Sequence, residues 1–157
     1  MDIFSTISKD QDEDSISAYL NLISSNMSTF QNAVPLRRNA VFPNKPGVYC
    51  IFDNELLIYA GETGSLKERM KDIFRTMNHS FRRSLGKHKY PTIPGVLEID
   101  SKNNFPIDIE VALTEYMEKN LHVKVMPAFI GRKEIEERII KTHEPLFNSR
   151  GQRGQKP

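Results

Sequence analysis

The chain has 157 residues, with 22 Lys and Arg against 20 Asp and Glu for a formal net charge of +2, and is 38% hydrophobic and 27% charged. This length favours one domain with one sizeable core, and the fractions are those of a soluble globular protein. They exclude a chain that crosses a bilayer as a long apolar run, and the lone Cys50 excludes an internal disulfide and the common zinc-ribbon spacings.

Residues 1–42 read as a helical N-terminal extension. Asp2, Asp10, Asp12, Glu13 and Asp14 make its start acidic and loosely held, with no basic-then-apolar signal pattern. An amphipathic helix begins near Ser15 with Ile16, Tyr19, Leu20 and Ile23, and Met27, Phe30 and Val34 extend it. The chain leaves the helix at Pro35, and Pro43-Asn44-Lys45-Pro46 forms an irregular lead-in.

Residues 43–149 form the main domain. Gly47-Val48-Tyr49 opens one short apolar run, and Tyr59-Ala60-Gly61 closes a second. Both are too short for helices and rich in β-branched and aromatic residues, so they read as strands joined by a turn at Asp53-Asn54-Glu55. Cys50, inside the first strand, reads as a buried structural thiol in a reducing cytoplasm. Ser65-Leu66-Lys67-Glu68 fits a capping box in which Glu68 reaches back. Leu66, Met70, Ile73, Phe74 and Met77 then form one apolar helical stripe, with Arg69 on its edge. That Arg either lays its stem on the core or aims at a phosphate.

Phe81 and Leu85 predict a second short helix that ends at Gly86. Lys87 to Asn104, with Pro91, Pro94 and Gly95, reads as irregular. Ile107, Ile109, Val111 and Leu113 alternate with Asp108, Glu110 and Ala112, which is a strand pattern. His122 to Met126 alternates likewise, and Pro127 ends that strand or marks an edge. A last helix runs from about Arg132 to Thr142, before Pro145. Residues 150–157 are a basic tail carrying Arg150, Arg153 and Lys156.

Two features call for chemistry. Lys67, Arg69, Lys71, Arg75, Arg82, Arg83, Lys87 and Lys89 make the middle of the chain basic. Such a run is either ordinary solvated surface or a side that faces a polyanion. On the last helix Ile135, Ile139 and Ile140 define the buried side. At about 100° per residue Glu136 projects inside that stripe, whereas Glu137 points away toward Lys141. A carboxylate there needs a partner. It is either a structural ion pair, with an Arg such as Arg69, or a metal ligand or acid/base group in a cleft.

These residues resemble the GIY-YIG nuclease superfamily. Gly47-Val48-Tyr49 and Tyr59-Ala60-Gly61 stand where the family has its two triplets, with Leu66 and Arg69 at the usual distances after the second. Glu136, the apolar pair Ile139-Ile140, Pro145 and Asn148 resemble its C-terminal signature. The match spans roughly Gly47 to Asn148, with an insertion at about residues 87–120. Val48 and Ala60 are mild departures. Ile73 is a larger one, since many members have His or Tyr one turn after the Arg; His79 could fill that role from the next helix, with His88 a weaker candidate.

The resemblance implies an α+β fold: a small, mainly antiparallel sheet of three core strands flanked by helices, to which the 107–113 segment adds a strand. It also implies hydrolysis of DNA phosphodiesters assisted by a single divalent ion, Mg²⁺ or Mn²⁺. Glu136 would be the metal ligand, Arg69 would neutralise transition-state charge, and Tyr49, assisted by Tyr59, would position or deprotonate the attacking water. That last role requires the site, through Arg69 and the metal, to lower the tyrosine pKa. Asn148 would fix geometry. Arg82, Arg83, Lys87 and Lys89 would contact DNA phosphates, with Arg37 and Arg38 adding to them. The N-terminal helix or the insertion could supply specificity or a homodimer contact. The competing reading is an inactive GIY-YIG-like module that binds nucleic acid or protein, for which Ile73 and the modest charge speak.

Overall fold

The computed structural model describes residues 17–18, 30 and 32–148. Along them run β1 (Val34–Pro35), β2 (Gly47–Asp53), β3 (Leu56–Thr63), α1 (Leu66–Asp72), α2 (Ser80–Lys89), α3 (Ile107–Asn120), β4 (Leu121–Pro127) and α4 (Arg132–His143), then a 3-10 turn at Leu146–Asn148. The strands form one antiparallel sheet in the order β1-β4-β2-β3. None of the described helices is long and apolar enough to cross a membrane.

Alternation of side chains along each strand gives the sheet two apolar faces. Tyr49, Ile51, Tyr59, Val123 and Val125 enter one core with Leu66, Met70 and Ile73, Phe81 and Leu85 of α2, and Leu113 and Met117 of α3. Val48, Cys50, Ala60 and Met126 enter the other with Ile135, Ile139 and Ile140 of α4. Each such aliphatic side chain gains about 1.5–3 kcal/mol from full burial. Phe30 joins this second core, and the Ser17 hydroxyl lies 3.4 Å from Arg138 Nη2, so parts of the extension pack beside α4. Ser15, Ile16, Tyr19, Leu20, Ile23, Met27 and the basic tail fall outside the described residues.

The α+β architecture agrees with the sequence reading, but several elements differ. The 107–113 segment is the start of helix α3 and adds no strand to the sheet. Its buried residues, Ile109, Leu113 and Met117, recur every four positions, while Ile107 and Val111 are 79% and 51% exposed. Alternation of β-branched residues thus masked a helical stripe. Val34 does not extend a helix; it pairs with Val123 in β1.

Helix α1 stops at Asp72, so buried Thr76 takes the inward place expected of Met77, which is 42% exposed. Helix α2 runs past Gly86 to Lys89. The capping box is half formed. Ser65 Oγ accepts from the Glu68 N–H, but the Ser65 N–H goes to Thr63 Oγ1 and Glu68 pairs with Lys71.

Candidate active site

Both triplet glycines are explained by contact. Gly61 is the cross-strand partner of Tyr49, and a Cβ on it would stand 2.3 Å from the Tyr49 hydroxyl. A Cβ on Gly47 would meet the Met126 carbonyl oxygen at 2.5 Å and Leu66 at 2.7 Å, where the end of β4 and the start of α1 close on β2. The missing Cβ of Gly61 leaves room for the Tyr49 hydroxyl, which lies beside residues Arg69 and His79 at either end of the α1–α2 turn.

Two nitrogens converge on that hydroxyl. His79 Nε2 lies 2.9 Å from Tyr49 Oη, and Arg69 Nε donates to it at 3.3 Å. His79 is also the N-cap of α2, its Nδ1 accepting the Phe81 N–H at 3.2 Å. Burial drives the His79 pKa well below its ordinary value, and the charges of Arg69 and Arg83 add to this. A neutral ring whose Nδ1 accepts must carry its proton on Nε2. His79 therefore donates to Tyr49, so both acceptor sites of the phenolic oxygen are used, by His79 and Arg69.

Tyr59 completes the cluster, its ring 6.1 Å from that of Tyr49 and 5.7 Å from that of His79. Its hydroxyl is 3.4 Å from Ser80 Oγ. The expectation that the site lowers the Tyr49 pKa is not met by these residues. Burial pushes it well above the usual value, Tyr59 adds to that, and Arg69 opposes both without prevailing. Arg69 itself is raised: burial disfavours its charge, but Tyr49, Tyr59 and Asp72 outweigh burial.

His79 thus stands against Tyr49 although Ile73, one turn after Arg69, is buried in the core. His88 is exposed, with its ring 5.4 Å from Phe147. Asn148 clasps the edge strand, Nδ2 donating to the Ala60 carbonyl at 2.9 Å and Oδ1 accepting the Ala60 N–H at 2.8 Å. Both ends of the amide are spent on the residue after Tyr59, so Asn148 positions β3.

Glu136 is half-buried on α4. One turn before it, Arg132 Nε donates to Glu62 Oε2 at 3.2 Å, and Glu62 follows Gly61. Residues four apart share a helix face, so Glu136 lies on the side of α4 that carries Arg132, and α4 packs on the sheet face opposite Tyr49 and Tyr59. Among the described residues no three His, Cys, Asp or Glu side chains form a metal-holding group. A single hard carboxylate nevertheless suits Mg²⁺, which keeps several waters and draws other ligands from phosphate.

The expected phosphate contacts divide. Arg82 is not on the surface: it is 1% exposed and its guanidinium is consumed internally. It pairs with Glu110 at 2.7 Å and donates to Thr76 Oγ1, Thr114 Oγ1 and the Glu110 carbonyl. Burial disfavours the Glu110 charge, but Thr76, Arg82 and the Phe105 N–H outweigh it and hold the carboxyl below its ordinary value. Arg83, the next residue, is half-exposed and donates to the carbonyls of Thr76 and Met77. Lys87 is half-exposed, and Lys89 Nζ sits 3.6 Å over the Tyr116 ring.

Nothing in the sequence pointed to Ser80 beside the Tyr59 hydroxyl, and only a faint signal marked the His79 cap, since His is an uncommon N-cap.

No curated protein and no solved structure gives a significant match to this chain. A family profile described as the GIY-YIG catalytic domain matches residues 41–156, which take in both triplets, Arg69, His79, Glu136 and Asn148. The chain therefore belongs to the GIY-YIG catalytic domain family, a family of nucleases.

Proposed function

We propose that this protein is a metal-dependent DNA endonuclease that hydrolyses phosphodiester bonds, with Tyr49, Tyr59, Arg69, His79 and Glu136 around the scissile phosphate. The observation that carries the reading is the convergence of His79 Nε2 and Arg69 Nε on one phenolic oxygen. At rest Tyr49 is a phenol, because burial holds its pKa well above the ordinary value. When its proton passes to solvent water, the phenolate left behind is already held by two donors, so no reorganisation is required at the moment of reaction. The phenolate can then take a proton from the attacking water. Arg69 places positive charge where the phosphate gains negative charge. A divalent ion at the Glu136 carboxylate would stabilise the leaving oxygen and favour ionisation nearby.

One such centre cuts one strand. The reading therefore gives nicks from a monomer, and double-strand breaks from a homodimer or from two visits. Against the inactive-module reading stands His79, whose ring reaches the Tyr49 hydroxyl from another helix.

The test is supercoiled plasmid with Mg²⁺, with EDTA, and with Glu136→Ala. Metal-dependent nicking or linearisation that disappears in the variant is the expected result. Intact plasmid across several DNAs, with salt-sensitive binding retained, would overturn the reading in favour of a binding module.

A further inference from the structure

Arg69 and Arg83 come from different helices to the same short turn. Arg69 Nη1 donates to the Asn78 carbonyl at 3.4 Å, and Arg83 Nη1 donates to those of Thr76 at 2.8 Å and Met77 at 3.1 Å. Three consecutive carbonyls thus anchor two guanidinium groups. Successive Cα atoms are about 3.8 Å apart, so the two charges lie on the order of 10 Å from one another or less.

The pairing has a cost at Arg83 that its neighbours offset only in part. The Arg83 charge is disfavoured first by burial and further by Arg69, against weaker support from Asp100 and Tyr59. Among the described residues neither guanidinium forms an ion pair with a carboxylate, whereas Arg82 beside them does. Nε and Nη2 of Arg83 make no hydrogen bond to the described residues. Two held cations, neither ion-paired to a carboxylate among the described residues and one with donors to spare, form a place for an anion.

We propose that Arg69 and Arg83 form a two-point cradle for consecutive phosphates of one DNA strand. Arg69, bonded to Tyr49, takes the scissile phosphate, and Arg83 takes an adjoining one. This rests on the DNA-nuclease reading and deepens it. The separate carbonyl anchors hold the two guanidinium groups apart, so each can meet a different phosphate of one strand. Arg83 then fixes the register of the strand over Tyr49 without touching the reacting atoms. His79, whose backbone carbonyl accepts the Arg83 N–H, couples that register to the Tyr49 hydrogen bond.

The test is fluorescence anisotropy of a fluorescein-labelled duplex in EDTA, at salt from about 50 mM to about 200 mM, for wild type, Arg83→Gln and Arg83→Lys. Loss of one phosphate contact removes about 0.9 from the log–log salt slope, so over that range Arg83→Gln should lose about 3.5-fold less affinity than wild type. Arg83→Lys keeps the charge and should restore the slope. A thermal melt accompanies each variant, because Arg83 also caps two carbonyls, and the Lys variant keeps a donor there.

A wild-type slope in folded Arg83→Gln would overturn the cradle and leave the nuclease reading standing. Wild type that shows the slope difference but cleaves no DNA would sink the nuclease reading and uphold the cradle. Wild type that binds no DNA at any salt would overturn both.

Discussion

The two faces of the sheet are built for different ends. Under α4, Val48, Cys50, Ala60 and Met126 meet Ile135, Ile139, Ile140 and Phe30, and the one titratable group among these is the Cys50 thiol, which burial pushes far up. On the other face a similar apolar frame closes around Tyr49, His79 and Arg82, each no more than 1% exposed. Among the described residues no buried side-chain nitrogen or oxygen lacks a hydrogen-bond partner. Burial serves stability alone on the first face. On the second it also strips water from donors and acceptors, which strengthens them and fixes their directions. The same desolvation keeps Tyr49 and His79 neutral at rest.

Arg82→Met breaks this comparison hardest. It leaves Glu110 charged and partly buried without its cation, at a cost of about 3–5 kcal/mol, read as a fall in the denaturant midpoint. The apolar face offers the contrast: Ile139→Val there should cost only about 0.5–1.5 kcal/mol. In whatever Arg82→Met remains folded, the salt dependence of DNA binding should match wild type, because Arg82 faces inward.

Gly61→Ala comes next. Its methyl would need the place of the Tyr49 hydroxyl, so overpacking of about 1–3 kcal/mol is expected, together with loss of cleavage as that hydroxyl leaves His79 and Arg69. A variant with wild-type stability and wild-type cleavage would show that the contact is loose.

The smallest effect is in pH. His79 has a folded pKa below its unfolded value of about 6.5. Below that pH the unfolded chain binds the extra proton and the folded chain does not. The His79 contribution is therefore complete above about pH 6.5 and is lost as pH falls toward the folded value, at up to about 1.4 kcal/mol per pH unit. His79→Gln should flatten the acid limb of a plot of melting temperature against pH. An unchanged limb would mean that His79 is already charged in the folded protein.

The sequence was most informative where local pattern and contact coincide. Tyr49, Gly61 and Arg69 lie on adjacent elements, and their spacing along the chain is also the geometry that joins them. Ser65 announced the start of α1 for the same reason. It was least informative where a residue's role depends on a distant partner. Arg82 and Arg83 are indistinguishable as a basic pair, and only the arrival of Glu110 on α3 makes one internal and leaves the other beside the site. That helix was itself concealed by alternating β-branched residues, although Ile109, Leu113 and Met117 already marked its buried stripe. The half-formed capping box is a smaller case, since Thr63 reached the Ser65 N–H in place of Glu68.

The central claim is that the oxygen held by His79 and Arg69 does chemistry. The most direct measurement is the single-turnover cleavage rate of Tyr49→Phe with Mg²⁺ at saturating enzyme. The ring and its packing over Gly61 remain, and only the hydroxyl goes. A loss of about 10²–10⁴-fold with DNA binding retained is the predicted result; cleavage at the wild-type rate would contradict the account.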